Sequence, residues 1–502
     1  MNRSPRQCTR IQTARSFLVS RRTALAAALV LLICKTHGEP ARHLFLDPAF
    51  VREAKGAALH VNPPQAGEIV IRPDKPWEQL MISFFLTVRE EEGKLRMWYI
   101  CRDRDNHPNL AYAESTDGVH WVKPNLGIVE YHGSTENNLV GMTSLEGTVF
   151  QDPRGKPEEK YIYVTHVRDK GIVRFTSPDG LHWRSDDKVL LPFRADTQNV
   201  TLWDERHGGF VLYLRGWDVG EPWTARLRKV VRLTADSLAA PLPIRPSGLD
   251  VGSKRPKALP HFVNEIPTVF AADERDPKNT DVYNLAAQRY PPDPRWYVGF
   301  PSFLQRERGI SDGWVEMQFA GSADGINWHR YDRRAYVPRG PAGSESANMV
   351  FMGVGLIVRG DEIWQYGTGF NSRHGDVAAR KKKTDGVIYR YVQRIDGFVS
   401  LDFEADGGKC VTAPVKVDCA RLLLNVDTGA TGELRAALLD DGGKPIEGFG
   451  ADDCDALRMN STGAEVTWKK SADLSALHGR EVRVQFTGAR TKLYSFRFEP
   501  KP

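Results

Sequence analysis

Cysteine is scarce in this chain, six residues in 502. There is no Cys-x-x-Cys pair and no Cys/His ligand spacing, which excludes a zinc ribbon or finger, and neither metal nor any other cofactor is expected. No Gly-x-Ser-x-Gly elbow and no Ser-His-Asp order occur, which argues against a serine hydrolase. No glycine-rich loop fit to cradle phosphate is present. Long amphipathic helices are missing, and the one marked apolar run, residues 24–34, is too short to cross a bilayer comfortably.

Acidic residues are absent from the first 38 positions. That segment carries Arg3, Arg6, Arg10, Arg15, Arg21, Arg22 and Lys35 ahead of and around the apolar run. A charged lead, a short apolar stretch and small residues near Thr36-His37-Gly38 predict a cleaved secretory signal over 1–38, and Ser20-Arg21-Arg22 is similar to a twin-arginine export signal. Leu31-Leu32-Ile33-Cys34 makes a poor lipoprotein box, because Ile33 is bulky where a small residue is needed. The predicted location is secreted or periplasmic in a bacterium, with no membrane insertion after processing. Seven of the 69 Lys+Arg and none of the 63 Asp+Glu lie in the signal, so the rest holds 69 − 7 = 62 basic against 63 acidic residues. The basic character goes with the signal, and nucleic-acid binding loses its main support. Cys101, Cys410, Cys419 and Cys454 would stay, with their pairing open.

What the chain does have is a repeat. Ser-x-Asp-Gly-aliphatic-His/Asn-Trp occurs at 115–121, 177–183 and 322–328. An apolar stretch of strand character precedes each copy. Asp-Gly is a strong turn signal, since Gly accepts positive φ and Asp bonds the backbone ahead of it. Degenerate copies around Asp236 and Asp396 bring the set to five. Five copies of one strand unit predict a five-bladed β-propeller over 39–394. After Asp396 tryptophan thins out and short alternating strands follow: 421–426, 433–439, 465–468, 481–486 and 493–498. They predict a β-sandwich over 395–502. The fold class is thus all-β, a five-bladed propeller followed by a C-terminal sandwich.

In a propeller blade the inner strand A starts on one face and antiparallel strand B returns to it. Residues at the start of A and the end of B should line one pocket. That rule selects Glu78 with Trp77, Arg102 with Asp103 and Asp105, Glu146 with His166, Asp196 with Gln198 and Asn199, Arg215 with Trp217, Asp281 with Tyr283 and Asn284, and Glu345 with Arg373 and His374. Asp152 and Asp204 fall at A-to-B turns on the opposite face. Carboxylates, aromatic rings and amides together suit a sugar, and glycoside hydrolysis needs two carboxylates. The expectation is that Glu78, Asp196, Glu345 and Asp281 converge as the catalytic set, and that Trp77, Arg102, Asp103, Gln198, Asn199, Arg215, Tyr283, Asn284, Arg373 and His374 bind substrate. A carbohydrate is the expected partner. The alternative is a non-catalytic carbohydrate-binding propeller.

Arg96-Met-Trp-Tyr99, Tyr112–Trp121, Lys123-Pro-Asn-Leu-Gly127, Asn137-Asn138, Asp196-Thr-Gln-Asn199, Arg394–Ser400 and Trp468–Ser475 extend the pattern across the chain. With these motifs it resembles secreted bacterial proteins of planctomycete type related to the N-terminal domain of glycoside hydrolase family 32. The resemblance implies a five-bladed propeller, a following sandwich and glycosidase-like chemistry. The Trp-x-Asn-Asp-Pro and Glu-Cys elements of the family are missing, and Gln151-Asp-Pro153 imitates its Arg-Asp-Pro at a turn. β-Fructosidase activity is therefore not carried over.

Overall fold

The computed structural model describes residues 41–144, 146–218, 225–246, 259–469 and 471–501. The expected export signal and Cys34 lie outside them. Among the described residues no helix is long and apolar enough to cross a membrane.

Five antiparallel blades follow one another in the sequence. Blade one pairs Met81–Glu91, Lys94–Arg102 and Pro108–Ser115; blade two pairs Thr148–Gln151, Tyr161–Val167, Gly171–Ser177 and Arg184–Leu191. Blade three runs Val200–Asp204, Gly209–Trp217, Arg228–Ala235 and Thr268–Phe270. In blade four, Thr280–Leu285 pairs with Pro301–Arg306 and then Gly313–Met317, and the strands continue at their far ends as Gln288–Arg289, Tyr297–Gly299 and Ala320–Ser322. Blade five pairs Met349–Met352, Glu362–Phe370 and Val387–Arg394, and its outer strand is Gln65–Ile71, taken from the N-terminal side of blade one. The ring is closed by that exchange, which leaves no open sheet edge at the junction.

The repeat motif explains how the blades lock. In the first copy Ser115 Oγ accepts from Gly118 N at 2.8 Å, and Asp117 Oδ1 accepts from Val119 N and His120 N at 2.9 and 2.8 Å. The same bonds recur around Ser177/Asp179 and Ser322/Asp324. Each motif glycine has φ between +71° and +78°. Each also offers its carbonyl to an aromatic side chain on strand B of the preceding blade: Tyr366 Oη donates to Gly118 O at 2.9 Å, Trp98 Nε1 to Gly180 O at 2.6 Å, and Tyr213 Oη to Gly325 O at 2.8 Å. The motif is thus a turn that also bolts neighbouring blades together. The degenerate copy at Asp396 does the same by other means, accepting from Tyr290 Oη at 2.7 Å and from Ser495 Oγ at 2.7 Å.

The C-terminal strands form two sheets. In one, Val399–Phe403, Thr491–Glu499, Arg421–Asp427 and Asn460–Glu465 are neighbours; in the other, Gly408–Thr412, Val415–Lys416 and Glu433–Leu439 all pair with Glu481–Ala489. The expected strand at 465–468 comes earlier, at Asn460–Glu465, and Trp468 is instead a buried wedge whose Nε1 donates to Ala436 O at 3.0 Å. Alternation along the strands sends Leu422, Leu424, Val426, Leu434, Leu438, Val484, Phe486 and Phe496 into one core.

The expected propeller start at residue 39 is corrected. Arg42–Leu44 pairs with Thr491–Glu499, Val51–Lys55 with Gly408–Thr412, and Ala57–Val61 with Val399–Phe403. These N-terminal strands belong to the sandwich because its sheets need edge partners there, and only from Gln65 does the chain join the ring. Asp47 caps the turn Pro48–Phe50 by accepting from Ala49 N at 2.8 Å. The four described cysteines are all unpaired thiols.

Candidate functional site

The A strands run along the ring axis from one mouth to the other. At the far mouth Thr87, Gln151, Trp203, Gln288 and Val358 line an open, largely apolar cavity of about 480 Å³. At the near mouth, where A strands start and B strands end, lies a cavity of about 270 Å³ with mixed polar and apolar walls, lined by Ser83, Phe84, Arg102, Glu146, Asp196, Tyr283, His374 and Arg380, among others.

Asn199 builds this site. Its side-chain amide donates to Glu146 O at 2.8 Å, Ala195 O at 3.0 Å and Thr197 O at 3.0 Å, and its main-chain N donates to Glu146 O at 2.7 Å. One buried side chain therefore stitches the main chain at the start of blade two to that at the start of blade three, the segments that carry Glu146 and Asp196. Thr197 Oγ1 and Arg215 Nη2 then donate to Tyr283 O at 3.1 and 2.8 Å, which ties in blade four.

Asp196 is held by two guanidinium groups, Arg194 Nη2 on Oδ2 at 2.7 Å and Arg215 Nη1 on Oδ1 at 3.1 Å. Burial works to raise its carboxyl, but Arg215 and Arg194 outweigh that and keep it well below the usual carboxylate range. His261 stands nearby, yet burial pushes its own value down to about 4, so near neutrality the arginines alone carry the effect. Asp196 is a fixed anion. Glu146 is the second carboxylate of the cavity, with Oε2 at 3.5 Å from His166 Nδ1.

Tyr283 and His374 form the opposite wall. His374 Nδ1 lies 2.6 Å from Ser311 O, and Nε2 lies 3.0 Å from Tyr283 Oη. Burial, with Arg228, Arg380 and Arg215 nearby, pushes the imidazole down to about 3. A neutral ring facing a carbonyl at Nδ1 must carry its proton there, so Nε2 accepts from the Tyr283 hydroxyl. The Tyr283 ring stacks under Arg215, whose guanidinium carbon is 4.2 Å from the centroid.

Of the four expected catalytic carboxylates, the structure brings only Asp196 to this cavity. Glu78 is 0 % exposed and accepts from Tyr99 Oη at 2.6 Å, Lys123 Nζ at 2.7 Å and the main-chain N of Asp74 and Lys75 at 2.9 and 3.1 Å. It caps the turn Pro76–Glu78 and closes a buried ion pair. Asp281 is likewise fully buried, clamped by Arg306 Nε and Nη2 at 2.7 and 2.6 Å and by the main-chain N of Arg228 at 2.7 Å. Its side chain points between blades three and four, away from the axis. Glu345 lies on an outer loop, paired with Arg72 at 3.2 Å.

The expected binding residues divide in the same way. Arg102, Tyr283 and His374 line the cavity, and Arg215 lies directly behind it. Trp77 is buried, donating to Asn138 Oδ1 at 2.9 Å. Asp103 organises its own loop by accepting from Asp105 N and His107 N. Gln198 and Asn284 bond to each other at 2.8 Å beneath the wall, and Asn199 is the staple already described. Arg373 pairs with Asp312 at 3.0 Å and with Glu307, outside the cavity. Sequence reasoning passed over Phe84 and Arg380. Arg380 sits in the short helix Val377–Lys382, on the connector from strand B to strand C of blade five. Such connectors lie on the same face as the site, and that signal would have found it. A literal Arg-Asp-Pro does occur at 275–277, but Asp276 is gripped by Arg330 at 2.7 and 2.6 Å and does not line the cavity. Among the described residues no group of three or more His, Cys, Asp or Glu is placed to hold a metal ion.

No protein-family model matches the chain, and no curated protein matches it. Solved structures do resemble it. An N-acetylgalactosamine deacetylase from F. plautii is 14% identical, with 68% of this chain and 97% of that chain covered at a TM-score of 0.43. A glycoside hydrolase family 43 arabinoxylan arabinofuranohydrolase from Bacillus subtilis is 12% identical over 88% and 99%, at 0.38. An exo-inulinase from Aspergillus awamori is 10% identical over 87% and 99%, at 0.39. Likenesses this distant carry no argument about activity, which has to come from the site itself.

Proposed function

We propose that the chain is an exported carbohydrate-active enzyme of glycosidase type, working in the cavity at the near mouth of the propeller. The observation that carries the reading is that two carboxylates, Glu146 and Asp196, line one cavity, on chain segments that the Asn199 amide joins through their main-chain carbonyls. Hydrolysis of a glycosidic bond needs one carboxylate that stays ionised and another that delivers a proton. Asp196, held ionised by Arg215 and Arg194, is the group to attack or to orient water. Glu146 is the group to protonate the leaving oxygen. Phe84 offers a ring face, and Tyr283, Ser83 and Arg102 offer hydroxyl and guanidinium partners for sugar hydroxyls.

The test is release of reducing ends from a panel of plant, algal and microbial oligosaccharides. Asp196→Asn and Glu146→Gln should each lower kcat by roughly a thousandfold or more in protein whose circular dichroism spectrum is that of the wild type; Asp196→Asn, which leaves the buried Arg215 without its carboxylate, should also melt below wild type. Retained turnover in both variants would sink the assignment. A second reading, a carbohydrate-binding propeller without turnover, is favoured by one fact: both oxygens of Asp196 are already engaged by arginines. Glycan binding at micromolar concentration with no cleavage by the wild type would decide for it.

A further inference from the structure

Two guanidinium groups in the cavity wall have no carboxylate in ion-pair contact among the described residues. Arg102 ends strand B of blade one, and Arg380 sits on the blade five connector. Arg380 is only 4% exposed and is held rigidly, Nε donating to Ser372 Oγ at 2.9 Å and Nη2 to Arg373 O at 2.7 Å. Arg102 reaches only Asn106, through Nη1 at 3.3 and 3.4 Å. Among the described residues neither takes part in an ion pair, and Nε and Nη2 of Arg102 and Nη1 of Arg380 have no protein acceptor.

The acids nearby are already engaged. Asp385 accepts from the main-chain N of Asn371 and Ser372 at 3.0 and 2.8 Å, and Asp376 from Ala379 N at 3.0 Å. Asp196 is matched twice over, by Arg194 and Arg215. Glu146 acts on Arg102, and Asp385 and Asp376 on Arg380, but only from a distance: among the described residues none of these carboxylates is in ion-pair contact with either guanidinium, so both forks keep open N–H groups. Two planar donor forks open to one cavity, beside an aromatic face, match an anionic group carried on a sugar.

We infer that the cavity takes an acidic saccharide, its carboxylate or sulfate gripped by Arg102 and Arg380 while the ring lies toward Glu146 and Asp196. The inference rests on the carbohydrate reading of the site but concerns recognition, not turnover. It is tested by calorimetric titration of two matched pairs: trigalacturonic acid against its full methyl ester, and a sulfated galactose disaccharide against its desulfated form. In about 0.15 M salt, where charges beyond ~8 Å are screened, at least one acid should bind roughly tenfold or more tightly than its neutral twin. Which pair shows the gap tells carboxylate from sulfate. Arg102→Gln and Arg380→Met should each erase most of the preference, and Arg380→Lys should keep part of it. Arg102→Gln touches a half-exposed residue with two long contacts, so it stays informative even where Arg380→Met fails to fold.

If neither acid outbinds its neutral twin, or if the preference survives in Arg102→Gln, the inference is overturned. Acid preference with no cleavage upholds it and removes the glycosidase reading. Equal cleavage of charged and neutral forms does the reverse.

Discussion

Gly180 and Gly93 have the same backbone conformation, φ +77°, but different surroundings. A Cβ on Gly93 would meet nothing within 4 Å, whereas one on Gly180 would lie 2.7 Å from Trp98 Cζ2, in the preceding blade. Alanine at either site pays about 1–2 kcal/mol for left-handed φ, offset by roughly 0.4–1 kcal/mol from a stiffer unfolded chain. Gly93→Ala should therefore cost about 1 kcal/mol or less. Gly180→Ala adds overpacking of about 1–3 kcal/mol, and a displaced Trp98 also weakens its 2.6 Å bond to Gly180 O, worth about 1 kcal/mol. The difference between the two variants is about 2–4 kcal/mol. With an unfolding entropy of ~2.1 cal/mol/K per residue over the compact unit Arg42–Pro502, 1 kcal/mol moves Tm by about 1 °C. Gly180→Ala should melt about 2–4 °C below Gly93→Ala by calorimetry, and its urea midpoint should fall in the same order. Equal midpoints would refute the claim that the motif joins blades and leave it a local turn.

Acid should loosen the fold through His374, His261 and His43. Their ordinary value is 6.5, and burial pushes them to about 3, about 4 and about 4. Above pH 6.5 all three are neutral folded or unfolded and their contribution is complete; as pH falls the unfolded chain takes the proton first, and stability drops by about 1.4 kcal/mol per unit for each histidine. Urea melts between about pH 7 and pH 5 should show that slope, and His374→Gln should remove roughly a third of it; an unchanged slope would mean His374 is not held neutral. Lys123→Met leaves Glu78 buried without its cation and should cost about 3–5 kcal/mol, read by urea unfolding. The protein that stays folded should keep its kcat, and a selective loss of kcat in a stable Lys123→Met would return Glu78 to the chemistry.

The repeat made the ring readable because its bonds are local: Ser, Asp and Gly within four positions build the same turn three times. The strand-end rule also placed Arg102, Asp196, Tyr283 and His374 around one cavity. It failed for Glu78 and Asp281, because a strand end specifies a face of the ring but not the direction of the side chain. Asp281 and Tyr283 stand two residues apart on one strand, yet one turns between blades to two arginines and the other to the axis, across an irregularity in the pairing at Val282/Asn284. Arg380 escaped the strand-end rule because it sits on a connector, and that rule considers only where A strands start and B strands end. The placement of 42–61 in the sandwich had no local signal at all, since the partners of those strands lie more than 300 residues away.

That last arrangement imposes an order in time on a chain made from its N-terminus. Gln65–Ile71 is among the first strands to emerge, yet its partner, Val387–Arg394, comes near the end; Arg42–Leu44 waits for Thr491–Glu499, the final strand of all. Until then the earliest strands offer bare edges, open to wrong pairing. A chain cut short before residue 491 would leave Arg42–Leu44 and Arg421–Asp427 without the strand that both pair with. Synthesis through Glu499 is thus a condition for seating Arg42–Leu44 in its sheet.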